Sequence, residues 1–340
     1  MANIKDVAKQ TGVSVAVVSR YLNGDATLRI KIETRDRLEK TIKELNYKPS
    51  PVARALRSNT MQNIAVLVSD LTNPFFAEVF MGAQEAAHER GYTLTLYNTY
   101  DKAEKEKQFI DMVTRGLSDG VILTSAHVED SVIKEIERCG LKYIMVVRNS
   151  KDYKGLYITS DDKKGVRLAV EHLYENGHRR IAHISGPLYA SSGITKLEAF
   201  RETMMALHLE CPPGYVTEAT YREESGMEAM KVILSLNKRP TAVMAGNDLI
   251  AIGAISAIYE AGLKVPDDIS VVGFDDIRVS RYINPAITTV SYNKTFLGYS
   301  AARLLINFIE NGRMYEEILP VDVFLVKRGS VKRIDIAGEG

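Results

Sequence analysis

The chain has 340 residues, of which 45% are apolar and 26% charged, with a net charge of +1. This is the ordinary profile of a soluble globular protein, large enough for a small head and one big domain or two lobes. No apolar run approaches the ~18 residues of a membrane span, and two cysteines, Cys139 and Cys211, make neither a disulfide framework nor a metal cluster.

The charge is unevenly spread. The first 60 residues hold 12 Lys+Arg and 6 Asp+Glu, a net of +6, and the remainder carries a net of −5. A basic head on a slightly acidic body suits an approach to phosphate. The opening residues Met1–Asp6 lack the apolar core and cleavage site of a secretion signal, which points to the cytoplasm.

Three short helical patterns open the chain. Ile4, Val7 and Ala8 share one face, with Asn3 as a cap. Gly12 permits a tight turn, and Ser14 caps a second helix carrying Val18 and Leu22 that ends near Asn23-Gly24. Thr34, Leu38, Ile42 and Leu45 repeat at helical spacing in a third. Helix, glycine turn, helix is the grammar of a helix-turn-helix. Residues 47–60 read as a connector punctuated by Pro49 and Pro51, with a short helix over Val52–Arg57.

From residue 63 strands and helices alternate. Strands are expected at Ile64–Val68, Thr93–Leu96, Val121–Leu123 and Tyr143–Val147, separated by helices over 75–90, 103–115 and a third not bounded. The pattern restarts after Asp161. Helices over 163–176, 193–207, 225–236 and 248–261 then alternate with strands at Ile181–Ile184, Tyr215–Glu218, Ala242–Ala245 and Val271–Phe274. The fold class is therefore α/β: an all-α helix-turn-helix head (1–46), a hinge linker (47–60), two doubly wound parallel-sheet lobes (61–330) and a tail (331–340). Two such lobes imply a cleft for a ligand. The apolar helix Leu249–Ile258 is a candidate dimer interface.

No phosphate-cradling glycine loop, nucleophile–base pair or metal-ligand spacing of the six histidines is present. No cofactor, no metal and no enzymatic activity are expected.

With these elements placed, the chain resembles the lactose/galactose repressor family from Ile4 to about Ser330. The motifs are Ile4-Lys5-Asp6-Val7-Ala8, Gly12-Val13-Ser14, Val18-Ser19-Arg20 and Leu22-Asn23-Gly24, then the connector Tyr47-x-Pro49 … Ala53-Arg54-x-Leu56. In the body they are Asp70-x-x-Asn73-Pro74-Phe75-Phe76, Gly177-His178-Arg179-Arg180-Ile181-Ala182, Gly246-Asn247-Asp248, Val265-Pro266-x-Asp268-Ile269-Ser270, Val272-Gly273-Phe274-Asp275-Asp276 and Arg328-Gly329-Ser330. The resemblance implies a repressor of transcription with a periplasmic-binding-protein-like sensor, acting as a homodimer on operator DNA.

Helix-turn-helix readers set the start of the second helix in the major groove, here Val15, Ala16 and Arg20. Arg20 suits a guanine, and Val15 and Ala16 a thymine methyl. Ser14, Ser19, Asn23 and Tyr47 are candidates for phosphate contacts. The resemblance implies that a hinge helix bearing Ala53 and Leu56 pairs with its partner's copy in the minor groove, where Leu56 wedges between base steps. Two departures stand out: Val17 replaces a usual hydroxyl, and Lys31 replaces a usual helix-capping Ser.

For the effector cleft, the resemblance makes Phe75 an aromatic platform. Asp275 and Asn247 follow strands and suit polar ligand atoms, Arg148, Lys196 and Tyr221 complete the lining, and Asp248 is read as a helix cap. Read alone, Phe75 is equally a core residue and Asp275 a loop cap. Lys196 stands where an Arg is frequent, and Ala190 removes a cation that purine-sensing members use. These departures favour a sugar or sugar-like effector. Two other readings remain open: the same DNA function under a protein co-regulator, and a sugar-binding protein without DNA function.

Overall fold

The computed structural model describes residues 2–22, 24–48, 60–129, 131–151, 153, 155–312 and 320–334. Contacts divide the chain into two units, Met1–Gln62 and Asn63–Gly340.

The first unit holds α1 (Ile4–Thr11), α2 (Val15–Leu22) and α3 (Ile32–Glu44). Asn3 caps α1 in a capping box: its side chain accepts from the Lys5 and Asp6 amides, and Asp6 accepts from the Asn3 amide. Gly12 ends α1 at φ 68°, a left-handed conformation that costs glycine least. The Ser14 hydroxyl accepts from the Val17 amide at 3.3 Å and so starts α2. Lys31 supplies no capping bond to α3, as expected of a residue with no acceptor. Val7, Ala8, Val18 and Leu38 form the core, against which Val17, Tyr21, Leu22 and Tyr47 pack.

The second unit begins with β1 (Asn63–Val68), α4 (Pro74–Glu89), β2 (Thr93–Asn98), α5 (Ala103–Val113), β3 (Gly120–Leu123), α6 (Ser131–Arg138), β4 (Lys142–Val146) and β5 (Tyr157–Ile158). These strands form a wholly parallel sheet ordered β2-β1-β3-β4-β5. The chain then enters a second lobe with α7 (Asp162–Glu175), β6 (Ile181–Ser185), α8 (Ser191–Ala206), β7 (Val216–Glu218), α9 (Glu223–Leu234), β8 (Ala242–Ala245), α10 (Asp248–Glu260) and β9 (Ser270–Phe274). A 3-10 turn (Arg278–Arg281) leads to β10 (Thr288–Ser291), α11 (Lys294–Asn311) and β11 (Phe324–Val326). The second sheet runs β11-β10-β9-β8-β6-β7, with only β11 antiparallel.

The helix α11 leaves the second lobe and packs on α4 and behind β3 and β4 of the first. Returning, the chain pairs beside its outgoing strand: the Val321 amide donates to the Thr159 carbonyl at 2.8 Å, and the Asp161 amide to the Val321 carbonyl at 3.0 Å. The lobes are therefore joined by three chain crossings, and each is built from discontinuous sequence.

One expectation is narrowed here and another changes. On α10, Leu249, Ile250, Ala254, Ile255 and Ile258 are buried under the sheet and against α9, within the chain's own core, whereas Ile252 is half-buried and Ser256 and Tyr259 are exposed, so a partner would meet only that outer face. Asp248 does not cap that helix. Asn247 does, accepting from the Ile250 amide at 2.9 Å, while Asp248 reaches across to the Thr289 hydroxyl (2.5 Å) and the Ile277 amide (2.8 Å). The pattern after Phe274 was not anticipated, nor was the two-residue β5.

Arg328-Gly329-Ser330 locks the far edge of the second sheet. Arg328 pairs with Asp276 at 2.6 Å and donates to the Ile287 carbonyl, and Ser330 bridges the Val271 carbonyl and the Thr288 amide. His178 is fully buried between the Thr241 hydroxyl and the Lys332 carbonyl, and that burial lowers its pKa to about 4. Among the described residues, no helix is long and apolar enough to cross a membrane and no cluster of three metal-ligating side chains occurs.

Candidate functional site

On the head, the start of α2 presents an exposed face. Ser14, Val15, Ala16 and Arg20 are exposed, whereas Val18 and Ser19 are buried. Helical period accounts for 16 and 20, which turn away from the core-facing positions 18 and 22; Val15 lies on the side of 18 and 22 but opens the helix and is 39% exposed. Ser19 lies at 8% exposure, which seats its hydroxyl beneath the face. Tyr47 is half-buried against the core. Asn23, Ala53 and Leu56 lie outside the described residues.

Arg20 is held rather than free. Its Nε donates to Asp25 at 2.7 Å and an Nη to the Thr27 hydroxyl at 2.8 Å. Hydrogen bonds from Thr27 and then Arg20 bring the Asp25 carboxyl down to about 2. The loop after α2 thus orients a guanidinium whose remaining N–H groups face solvent, the geometry a bidentate base contact needs.

In the second unit, a cavity of about 450 Å³ opens between the lobes. Its walls come from the carboxyl ends of parallel strands, as the doubly wound fold dictates. Ser69, Asp70, Asn73 and Phe76 follow β1; Tyr100, Asp101 and Lys102 follow β2; Arg148 follows β4. The second lobe contributes Tyr189 after β6 and Thr220, Tyr221 and Arg222 after β7.

Of the residues expected here, Arg148 and Tyr221 line this cavity. Phe75 sits behind it at 3% exposure, edge-on to Phe76 with centroids 5.1 Å apart, and it is Phe76 that faces the opening. Asn73 caps α4, accepting from the Phe75 amide, and the packing of the lobe seats Phe75 in its core. Lys196 is buried, donating to the Gly246 carbonyl at 3.1 Å with its ammonium 3.7 Å from the Phe274 ring centroid. Burial disfavours its charge, but Asp162 and Asp275 outweigh that and its pKa rises. Asp275 accepts from the Tyr292 hydroxyl at 2.8 Å. Asn247 spends its side-chain oxygen on its own helix. These four form a buried layer under the lining.

The lining residues that sequence reasoning missed lie at strand ends, and left-handed backbone recurs there among missed and expected residues alike. Missed Tyr100 and Asp101 have φ of 54° and 55°, Val147 has 69°, and expected Tyr221 and Asp275 have 61° and 99°. For Val147, a β-branched residue, this is a strained conformation, and such strain gathers where side chains must be aimed at a site. Here it turns Arg148 into the cleft.

Arg148 is almost fully buried and grips Asp101 with two nitrogens, at 2.7 and 3.4 Å. The same carboxylate accepts from the Tyr189 hydroxyl at 2.7 Å and lies 3.3 Å from His127. Burial works against the Asp101 charge, but His127 and Arg148 more than compensate and hold its pKa far below the usual carboxylate range. His127 is raised in turn, chiefly by its bond to Asp101. Asp101 belongs to the first lobe and Tyr189 to the second, so this cluster bridges the cleft. Asp70 and Arg222, 2.8 Å apart, make a second bridge, and the Val128 amide to the Tyr189 carbonyl (2.8 Å) a third.

Comparison with known proteins agrees with this architecture. Residues 3–50 match the family described as bacterial regulatory proteins, lacI family, and residues 170–331 match a periplasmic binding protein-like domain. The HTH-type transcriptional repressor PurR of Klebsiella pneumoniae (strain 342) is 37% identical over 335 residues, spanning 97% of each chain. Its counterpart in Histophilus somni (strain 129Pt) is also 37% identical, over 98% of this chain and 100% of that one. The structure of the lac repressor dimer bound to operator and an anti-inducer superposes with a TM-score of 0.87 at 27% identity, covering 97% and 99% of the two chains. A cellobiose complex of the regulator CelR gives 0.75 at 28% identity, with 97% and 100% covered. The chain belongs to the lacI family of bacterial regulatory proteins: it is a DNA-binding regulator of transcription whose helix-turn-helix head is governed by a small molecule held in a two-lobed body.

Proposed function

We propose that the chain is a cytoplasmic transcriptional repressor that binds a near-palindromic operator as a homodimer and is controlled by a sugar-like effector in the inter-lobe cavity. The observation that carries this reading is the 450 Å³ cleft walled by strand ends of both lobes, in a chain whose head exposes Val15, Ala16 and Arg20.

Two heads at fixed spacing match a two-fold operator, and the dimeric lac repressor assembly supports that state for this chain. The sugar-like preference rests on the buried Ala190 at the start of α8 and on Lys196 in place of a forked Arg, and relatives with bound cellobiose and ribose support it. Effector binding acts by differential affinity for the open and closed lobes. The site's chemistry is recognition rather than turnover.

Deleting residues 1–58 tests the division of labour. The truncated protein is expected to keep effector binding and lose operator binding in a fluorescence-anisotropy titration. Sequence-specific operator binding by the truncated protein would refute the reading.

A further inference from the structure

The arginines of the cleft already have carboxylates from the chain itself. Buried Arg148 is held by Asp101 at 2.7 Å, half-exposed Arg222 is held by Asp70 at 2.8 Å, and Lys196, in the layer beneath, lies in the field of Asp162 and Asp275. From the geometry of these pairs we infer that the effector is uncharged, a neutral polyol or heterocycle, and that Asp101 is the residue that excludes anions. The inference rests on the cavity being the effector site.

The physical reason is charge balance at low dielectric. An arginine buried without a counter-ion is strongly unfavourable, and where the chain itself supplies that counter-ion no ligand anion is needed to balance it. Here Arg148 is 3% exposed and doubly bonded to Asp101, whose second oxygen also takes the Tyr189 hydroxyl. An anionic ligand approaching Arg148 meets the Asp101 carboxylate in the place it would occupy, and to enter it must displace that group into a wall it cannot leave. His127 adds a further donor to Asp101, and buried Glu106, which accepts from Ser125, also favours the charged form of His127. Neither supplies a spare cation to the cavity. Lys102 is the exception: it sits exposed at the rim, where water screens its charge.

A neutral ligand faces no such conflict. Phe76 and Tyr221, the latter steadied by a 3.0 Å hydrogen bond between its hydroxyl and that of Ser192, offer a hydroxylated ring apolar and polar contact without any net charge.

The test uses the full-length protein and calorimetric titration with probes matched in shape and differing in charge: glucose against glucose 6-phosphate and glucuronate, ribose against ribose 5-phosphate, and inosine against inosine 5′-monophosphate. Inorganic phosphate is titrated into the parent, Asp101→Asn and the double variant Asp101→Asn/Arg148→Met. The parent is expected to prefer the neutral member of any pair it binds and to ignore phosphate. Asp101→Asn unmasks Arg148 and is expected to bind phosphate at least about tenfold more tightly than the parent, a gain that the double variant loses. If Asp101→Asn fails to fold, Asp70→Asn, which unmasks Arg222, is read in the same way. A parent that binds a phosphorylated or carboxylated probe more tightly than its neutral counterpart overturns the inference, as does an unmasked variant with no gain for phosphate. Either result leaves the effector reading standing. That reading fails instead if a neutral probe binds the parent and leaves operator affinity unchanged.

Discussion

Arg20 shows how one side chain serves a site without contributing much to the fold. Its side chain is 47% exposed and its ion pair with Asp25 lies in water, so the pair adds little to stability. What the pair supplies is aim. Replacing Arg20 with Ala is expected to weaken operator binding by roughly ten- to hundredfold, the worth of a bidentate base contact, with the thermal midpoint nearly unchanged. Fluorescence anisotropy and a melting curve check the two halves separately. Arg20 was legible as a reader because helical period alone turns it outward. Asp25 and Thr27 were not, because nothing in their spacing says that a loop folds back onto the helix.

At the scale of elements, the close crossing of α4 and α11 depends on two glycines. A methyl at Gly298 would stand 1.8 Å from the Val79 carbonyl oxygen, and one at Gly82 would stand 1.8 Å from that of Thr295. Both obstacles are backbone and cannot step aside, so Gly298→Ala is expected to cost about 3 kcal/mol, the upper part of the range for overpacking, read as a lowered urea midpoint. The opposite change is available at α3, whose N-cap Lys31 makes no capping bond. Lys31→Ser is expected to stabilise the head by about 1 kcal/mol, measured by chemical unfolding of the full chain. The weak cap was readable from the sequence, since lysine has no acceptor to offer. The glycine crossing was not, because α11 and α4 are more than 200 residues apart, with most of the second lobe between them in sequence.

For the whole molecule, the buried histidines set the response to acid. His178 and His183 are both fully buried, and loss of solvation brings each down to about 4, well below the ~6.5 of an exposed histidine. A folded-state pKa below the unfolded value means that the unfolded chain takes up protons first. Stability is therefore whole above about pH 6.5 and is lost as pH falls toward 4, on the order of 3 kcal/mol for each histidine. His183 donates from Nδ1 to the Met244 carbonyl at 2.9 Å, has no hydrogen-bond partner at Nε2, and stacks on Phe200. Unfolding by urea at pH 7.5 and pH 5 is expected to show His183→Gln losing distinctly less stability than the parent over that interval. Equal losses in the two proteins would remove His183 from the account.

The order of strands and helices as far as Phe274, the reading face of α2 and the existence of two lobes all follow from local periodicity, which short-range sterics and solvent exposure impose on the sequence directly. The cleft is a different matter. Which of Phe75 and Phe76 faces it, that Asn247 caps while Asp248 braces, and that Asp101, Arg148 and Tyr189 meet were decided by tertiary structure. A buried charge is tolerable only beside its opposite, and the strand ends that bring such opposites together lie dozens of residues apart.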